Sequence, residues 1–154
     1  MYGNELYHYG VKGMKWGVRR YQKKDGSLTR AGQKRAKSYA KKAVKEAEYD
    51  YVEKLGKKFD NKSKLSKIDD YFRDFNNKHG LRAQPTPEYK KQLYEYFKLR
   101  KQQVKIDKEV SKAKTKLDDA HAYEKYLKYK DRPMDEMVKR GEKYVNELIE
   151  KETK

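Results

Sequence analysis

Apolar residues recur at steps of three and four along most of the chain, a spacing that predicts helices separated by a few polar or proline-marked breaks. Ala31, Ala36, Ala40, Ala43, Val44, Ala47, Tyr51, Leu55 and Phe59 share one face behind Thr29, whose hydroxyl suits an N-cap. A first helix is therefore expected from about Arg30 to Lys58. The polar stretch Asp60 to Lys64 is expected to break it. A shorter helix from about Ser66 to Lys78 would then present Ile68, Tyr71, Phe72 and Phe75 before Gly80 closes it. Pro85 blocks continuation, Thr86 offers a cap, Pro87 fits the first helical position and Glu88 complements the positive end of the helix dipole.

A long helix follows. Tyr89, Leu93, Tyr96, Phe97, Ile106, Val110, Ala113, Leu117, Ala120 and Leu127 mark its stripe, running to about Lys130. A helix of about 40 residues rises roughly 60 Å, more than the width of a compact domain of this size. It must bend near Lys101 to Lys105, pack on the first helix, or find a second copy of the chain; packing on the first helix is the favoured expectation. Asp131, Arg132 and Pro133 interrupt it, and Met134, Met137, Val138, Tyr144, Val145, Leu148 and Ile149 define a last helix. The fold class expected is all-α, an elongated helical bundle or long helical hairpin.

The front of the chain does not follow this pattern. Gly10, Gly13, Gly17 and Gly26 punctuate a run rich in aromatic and basic residues, so the backbone turns tightly while large flat side chains are displayed. Asp25 and Gly26 supply the dipeptide of a tight reversal, which predicts a small hairpin or structured loop there. The chain thus divides into a basic, glycine-rich and aromatic non-helical module over residues 1–29 and a helical domain over residues 30–154.

Composition limits what the helices can bury. Of the 154 residues 35% are hydrophobic and 42% charged, so thin seams between helices are expected instead of a large core. The absence of cysteine excludes disulfides, thiolate metal sites and cysteine nucleophiles. No apolar run is long enough to span a membrane, and no secretory signal is recognisable. The net charge of +17 is concentrated at the front. From Met1 to Lys45 there are 13 Lys or Arg against Glu5 and Asp25, a net of +11 that leaves +6 for the remainder. Such a field draws polyanions, nucleic acid foremost.

Candidates for catalysis are few. His8, His79 and His121 stand on three different segments and belong to no metal-binding pair. Asp69 with Asp70 and Asp118 with Asp119 are helix neighbours about 100° apart, better suited to solvation, capping or pairing with lysine than to holding a cation. The glycines form neither a phosphate loop nor a dinucleotide fingerprint. No enzymatic activity, cofactor or metal is expected.

The front module is then a binding element, with Tyr7, His8, Lys12, Lys15, Trp16, Arg19, Arg20 and Tyr21 as partner-binding residues and Gly10, Gly13, Gly17 and Gly26 shaping the backbone. Two readings stand side by side. Trp16, Tyr21 and Arg19 or Arg20 stack on one another and fold the segment onto itself, or Trp16 fills a partner's pocket inside a basic rim, as interface anchors do.

The stretches LYHYGVKGMKWGVRRYQ, from Leu6 to Gln22, and DGSLTRAG, from Asp25 to Gly32, resemble a motif of short proteins and protein termini encoded by phages and prophages of Gram-positive bacteria. These are commonly labelled structural or head-region proteins. This chain departs from the motif at Lys23, Lys24 and Arg30, around the turn and the helix start. The resemblance implies a non-catalytic accessory or structural protein, docking on a virion or assembly protein or on packaged DNA. It would be found in the host cytoplasm and in the virion. The other functions weighed are a non-specific nucleic-acid-binding protein, suggested by charge, and a phage inhibitor of a host defence protein, suggested by small size and a long helical face.

Overall fold

The computed structural model describes residues 21, 23, 28–129 and 133–152. Among the described residues the protein is an all-α helical bundle of three helices, α1 (Arg30–His79), α2 (Pro87–Tyr129) and α3 (Glu136–Glu152). The chain forms two compact units, one of residues 47–117 and one of residues 1–46 with 118–154.

The unit of residues 47–117 is an antiparallel helical hairpin. Its turn was legible in the sequence. Gly80, at φ 79°, takes the left-handed conformation that ends α1, and its N–H donates to the Asn76 carbonyl at 2.8 Å. Thr86 caps α2 by accepting the Tyr89 N–H on its hydroxyl at 3.2 Å, with Pro87 as the first helical residue. Between the two helices Leu65, Ile68 and Leu99 form a buried cluster edged by Phe72 and Tyr96. Tyr89 lies 4.9 Å from Phe72 and 4.7 Å from Phe75, centroid to centroid. At the other end of the seam Lys58 pairs with Asp107 at 2.8 Å and holds its carboxyl below the usual carboxylate range. α2 passes Lys101 to Lys105 without interruption and finds its cover on α1.

One expected boundary is wrong. α1 does not break at Asp60 to Lys64 but runs through it to His79. Asn61 is the reason. An asparagine in a helix tends to bond its own backbone and loosen the turn. Here the side chain is buried and directed at α2, its amide donating to the Leu99 carbonyl at 3.2 Å and to Gln103 Oε1 at 2.7 Å. With those partners across the seam, it has no need to compete for the α1 ladder. The expected apolar stripes also included residues that are not covered: Ala31, Phe59, Leu93 and Phe97 are exposed, whereas Leu99, which was not expected, is buried.

Among the described residues of the other unit the buried hydrophobic residues are Ala36, Ala40, Ala43 and Val44 of α1, Ala120, Tyr123 and Leu127 of α2, and Val138, Val145 and Leu148 of α3. α3 begins two residues later than the first apolar residue of its stripe. Asp135 is its cap, accepting the Val138 N–H at 2.9 Å, and Met134 and Met137 stay exposed. Gly141 lets α3 approach α2 closely: a Cβ there would overlap the Asp119 carbonyl and come within 2.7 Å of the Tyr123 Cβ. Asp119, buried, receives both Nε and Nη2 of Arg140 at 2.7 and 2.8 Å. α3 is tied to α1 by a Lys42–Glu152 ion pair and by the Tyr144 hydroxyl, 3.4 Å from Glu46.

Two outcomes test this packing. Leu65→Ala and Leu99→Ala each remove a side chain from the small apolar cluster, and each is expected to cost about 2–4 kcal/mol in urea unfolding followed by circular dichroism. A cost within the noise would mean that the seam is not packed.

Burial pushes the Glu142 carboxyl above its ordinary value, and burial followed by the charge of Glu142 raises the Tyr123 phenol. The folded state therefore holds the Glu142 proton more tightly than the unfolded chain. Stability is lost as pH rises from the ordinary carboxylate range through the raised folded value. Glu142→Gln is expected to raise the melting temperature at pH 7 and to leave it unchanged below about pH 4, where both states carry the proton.

Candidate functional site

Of the residues expected to bind a partner, Tyr21 lies in the described part of the chain, where it meets the start of α1. Tyr7, His8, Lys12, Lys15, Trp16, Arg19 and Arg20, with the backbone-shaping Gly10, Gly13, Gly17 and Gly26, lie outside the described residues.

The geometry at the start of α1 follows from a few residues of the DGSLTRAG stretch. Thr29 is the N-cap: its hydroxyl accepts the Gly32 N–H at 3.1 Å, and its carbonyl accepts the Gln33 N–H at 2.8 Å to open the helical ladder. The Thr29 N–H donates to the Tyr21 carbonyl at 3.0 Å. That carbonyl sits directly over Gly32, where a Cβ would overlap it. The glycine is needed for close approach of two backbones, and it is buried. The Gln33 amide reaches the Leu28 carbonyl at 3.5 Å.

The Tyr21 side chain is fixed as well. It is half-buried, with the Arg35 guanidinium 4.8 Å from the ring centroid, and the same guanidinium lies 5.6 Å from the Tyr39 ring. Such contacts are worth about 0.5–1 kcal/mol each where solvent reaches them. Sequence reasoning identified Thr29 but missed Gly32 and Arg35. The signal for Gly32 was its place three residues after a capping threonine, inside a helix, where glycine is otherwise unfavourable. Nothing in the periodicity pointed to Arg35.

Four of the other candidate residues, His79, His121, Asp70 and Asp119, have structural partners. His79 ends α1 with its ring 4.7 Å from that of Phe75, and His121 Nδ1 lies 3.9 Å from Glu124. Asp70 pairs with Arg73 at 2.9 Å, and Asp119 is held by Arg140, not by a lysine. Among the described residues no group of three or more His, Asp or Glu is placed to hold a metal ion, and no helix is long and apolar enough to cross a membrane.

Gly32→Ala tests the junction. The added methyl must displace the Tyr21 carbonyl, so the Thr29 bond and the Arg35 contact are expected to be lost together, with a weaker near-ultraviolet tyrosine signal and unchanged overall helicity. A variant with the native near-ultraviolet spectrum would show that the two backbones do not touch.

The model of a family of unknown function, DUF7211, matches residues 2–23. No curated protein and no solved structure matches the chain. The matched segment ends just past Tyr21, the residue held against the start of α1.

Proposed function

We propose that the protein is a non-catalytic phage accessory or structural protein whose basic aromatic front module docks on a virion component or on packaged DNA. The observation that carries this reading is the confinement of recognisable sequence to the front. The stretches that resemble the motif of phage and prophage proteins run from Leu6 to Gln22 and from Asp25 to Gly32, and the matching family model, of unknown function, covers residues 2–23. The helical remainder would serve as the frame that presents it. The anchoring of Tyr21 on Thr29 and Gly32 supports such a division, because it fixes where the module leaves the frame. In this reading Trp16 is the anchor, and Lys12, Lys15, Arg19 and Arg20 form its polar rim.

A second reading, non-specific nucleic-acid binding, is favoured by the net +11 over residues 1–45. The two differ in target, and a variant of Trp16 tests the first. Trp16→Ala is expected to reduce cosedimentation of the full-length protein with particles of the encoding phage at least tenfold, with an unchanged melting temperature. Retained cosedimentation with a large drop in melting temperature would instead make Trp16 a plug of the fold.

A further inference from the structure

The first four turns of α1 carry a stripe of cations. Arg30, Lys34, Lys37, Lys41 and Lys45 follow steps of four, three, four and four, which at about 100° per residue places them within roughly 80° of arc. All five are exposed, and from Arg30 to Lys45 the chain holds no Asp or Glu. Other basic residues of this stretch are engaged, Lys42 with Glu152 and Arg35 with Tyr21. Among the described residues the five of the stripe make no ion pair. Ala36, Ala40, Ala43 and Val44, buried, occupy the neighbouring face, centred roughly 110° around the helix from the stripe, so the packing of α1 leaves the stripe in solvent.

A run of five uncompensated cations costs stability through mutual repulsion, and it stands at the positive end of the helix dipole with no acidic residue in the first turn. An anionic partner relieves both. Adjacent cations on one helix face are about 5–6 Å apart, and the stripe extends about 22 Å, enough to follow a run of phosphates. The exposed surface of this stretch offers no aromatic ring for stacking unpaired bases, since Tyr39 is half-buried beside Arg35. Nor does it offer a large apolar side chain for insertion into a lipid surface.

We propose that the exposed face of α1 formed by Arg30, Lys34, Lys37, Lys41 and Lys45 is a binding surface for the phosphate backbone of duplex DNA, without sequence preference. This deepens the DNA branch of the reading above and rests on that branch, but it places the contact on the helical frame, outside the front module. Phosphate contacts position a protein on the duplex and carry no base information.

The test uses the full-length protein and a fluorescent duplex of mixed sequence, titrated over a range of salt. In one variant Lys34, Lys37, Lys41 and Lys45 are changed to Gln; in a control Lys101, Lys105, Lys108 and Lys112 of α2 are changed to Gln. Both go from +17 to +13, so net charge is matched. Glutamine keeps a good helix propensity, and far-ultraviolet circular dichroism checks that both fold. The α1 variant is expected to lose at least tenfold in affinity at low salt and to show a slope of log affinity against log salt shallower by about 3 to 4. The control is expected to change by less than threefold, and Lys→Arg at the same four α1 positions to restore binding.

Equal losses in variant and control would mean that only net charge acts, and would overturn the assignment. Tighter binding to a single strand or to anionic vesicles than to the duplex would overturn the choice of partner. A four-Gln α1 variant that binds DNA normally while Trp16→Ala does not would remove this surface and leave the docking role of the front module standing. No binding of duplex at any salt would remove both the surface and the DNA branch, with particle cosedimentation still deciding the virion branch.

Discussion

Everything in this structure depends on burying enough surface with little apolar material. With 42% of residues charged, the protein cannot enclose a broad core, and each compact unit is held along a narrow seam between helices. In the hairpin of residues 47–117 the seam is a short cluster of Leu65, Ile68 and Leu99, extended by aromatic rings toward the turn and by Asn61 and the Lys58–Asp107 pair away from it. In the other unit small residues do most of the work. Ala36, Ala40, Ala43, Ala120 and Gly141 keep the helices close, so modest side chains such as Val138 and Val145 become fully enclosed.

Narrow seams leave most of each helix in water, which is why polar contacts specify so much of the arrangement. Asn61 fixes the register of α1 on α2, and the forked Arg140–Asp119 contact fixes α3 on α2. Neither is a large source of net stability, because each must offset the desolvation of its own groups. Their contribution is to select one alignment among several that alanine-rich faces would tolerate. The same scarcity leaves the cationic stripe at the start of α1 open to a partner, since the buried face of that helix already uses its apolar residues.

The sequence revealed the helical class, the long second helix and the turn at Gly80 to Pro87, because proline, glycine and capping threonine act locally. It misled where a tertiary partner decides. The polar stretch Asp60 to Lys64 looked like a breaker from its own residues alone, and the partners that accommodate Asn61 in the helix, the Leu99 carbonyl and the Gln103 side chain, lie 38 and 42 residues away. Phe59 and Phe97 fitted a periodic stripe yet face solvent, because helices joined along a narrow seam cover a thin arc and periodicity does not locate that arc. At the candidate site, the cap at Thr29 was legible from its chemistry. The role of Gly32 depends on where the Tyr21 carbonyl comes to rest, and the role of Arg35 on where the Tyr21 ring does, neither of which a local pattern encodes.

In the proposed arrangement a front module is presented by a helical frame that folds without it. Deleting residues 1–20 while keeping Tyr21 and its contacts to Thr29 and Gly32 tests this most directly, with thermal melting and particle cosedimentation measured on the same preparation beside the full-length protein. A melting midpoint within about two degrees of the full chain, together with loss of cosedimentation, is expected. A melting transition that broadens or collapses, with cosedimentation falling only in proportion to the unfolded fraction, would contradict it and make the front segment part of the fold.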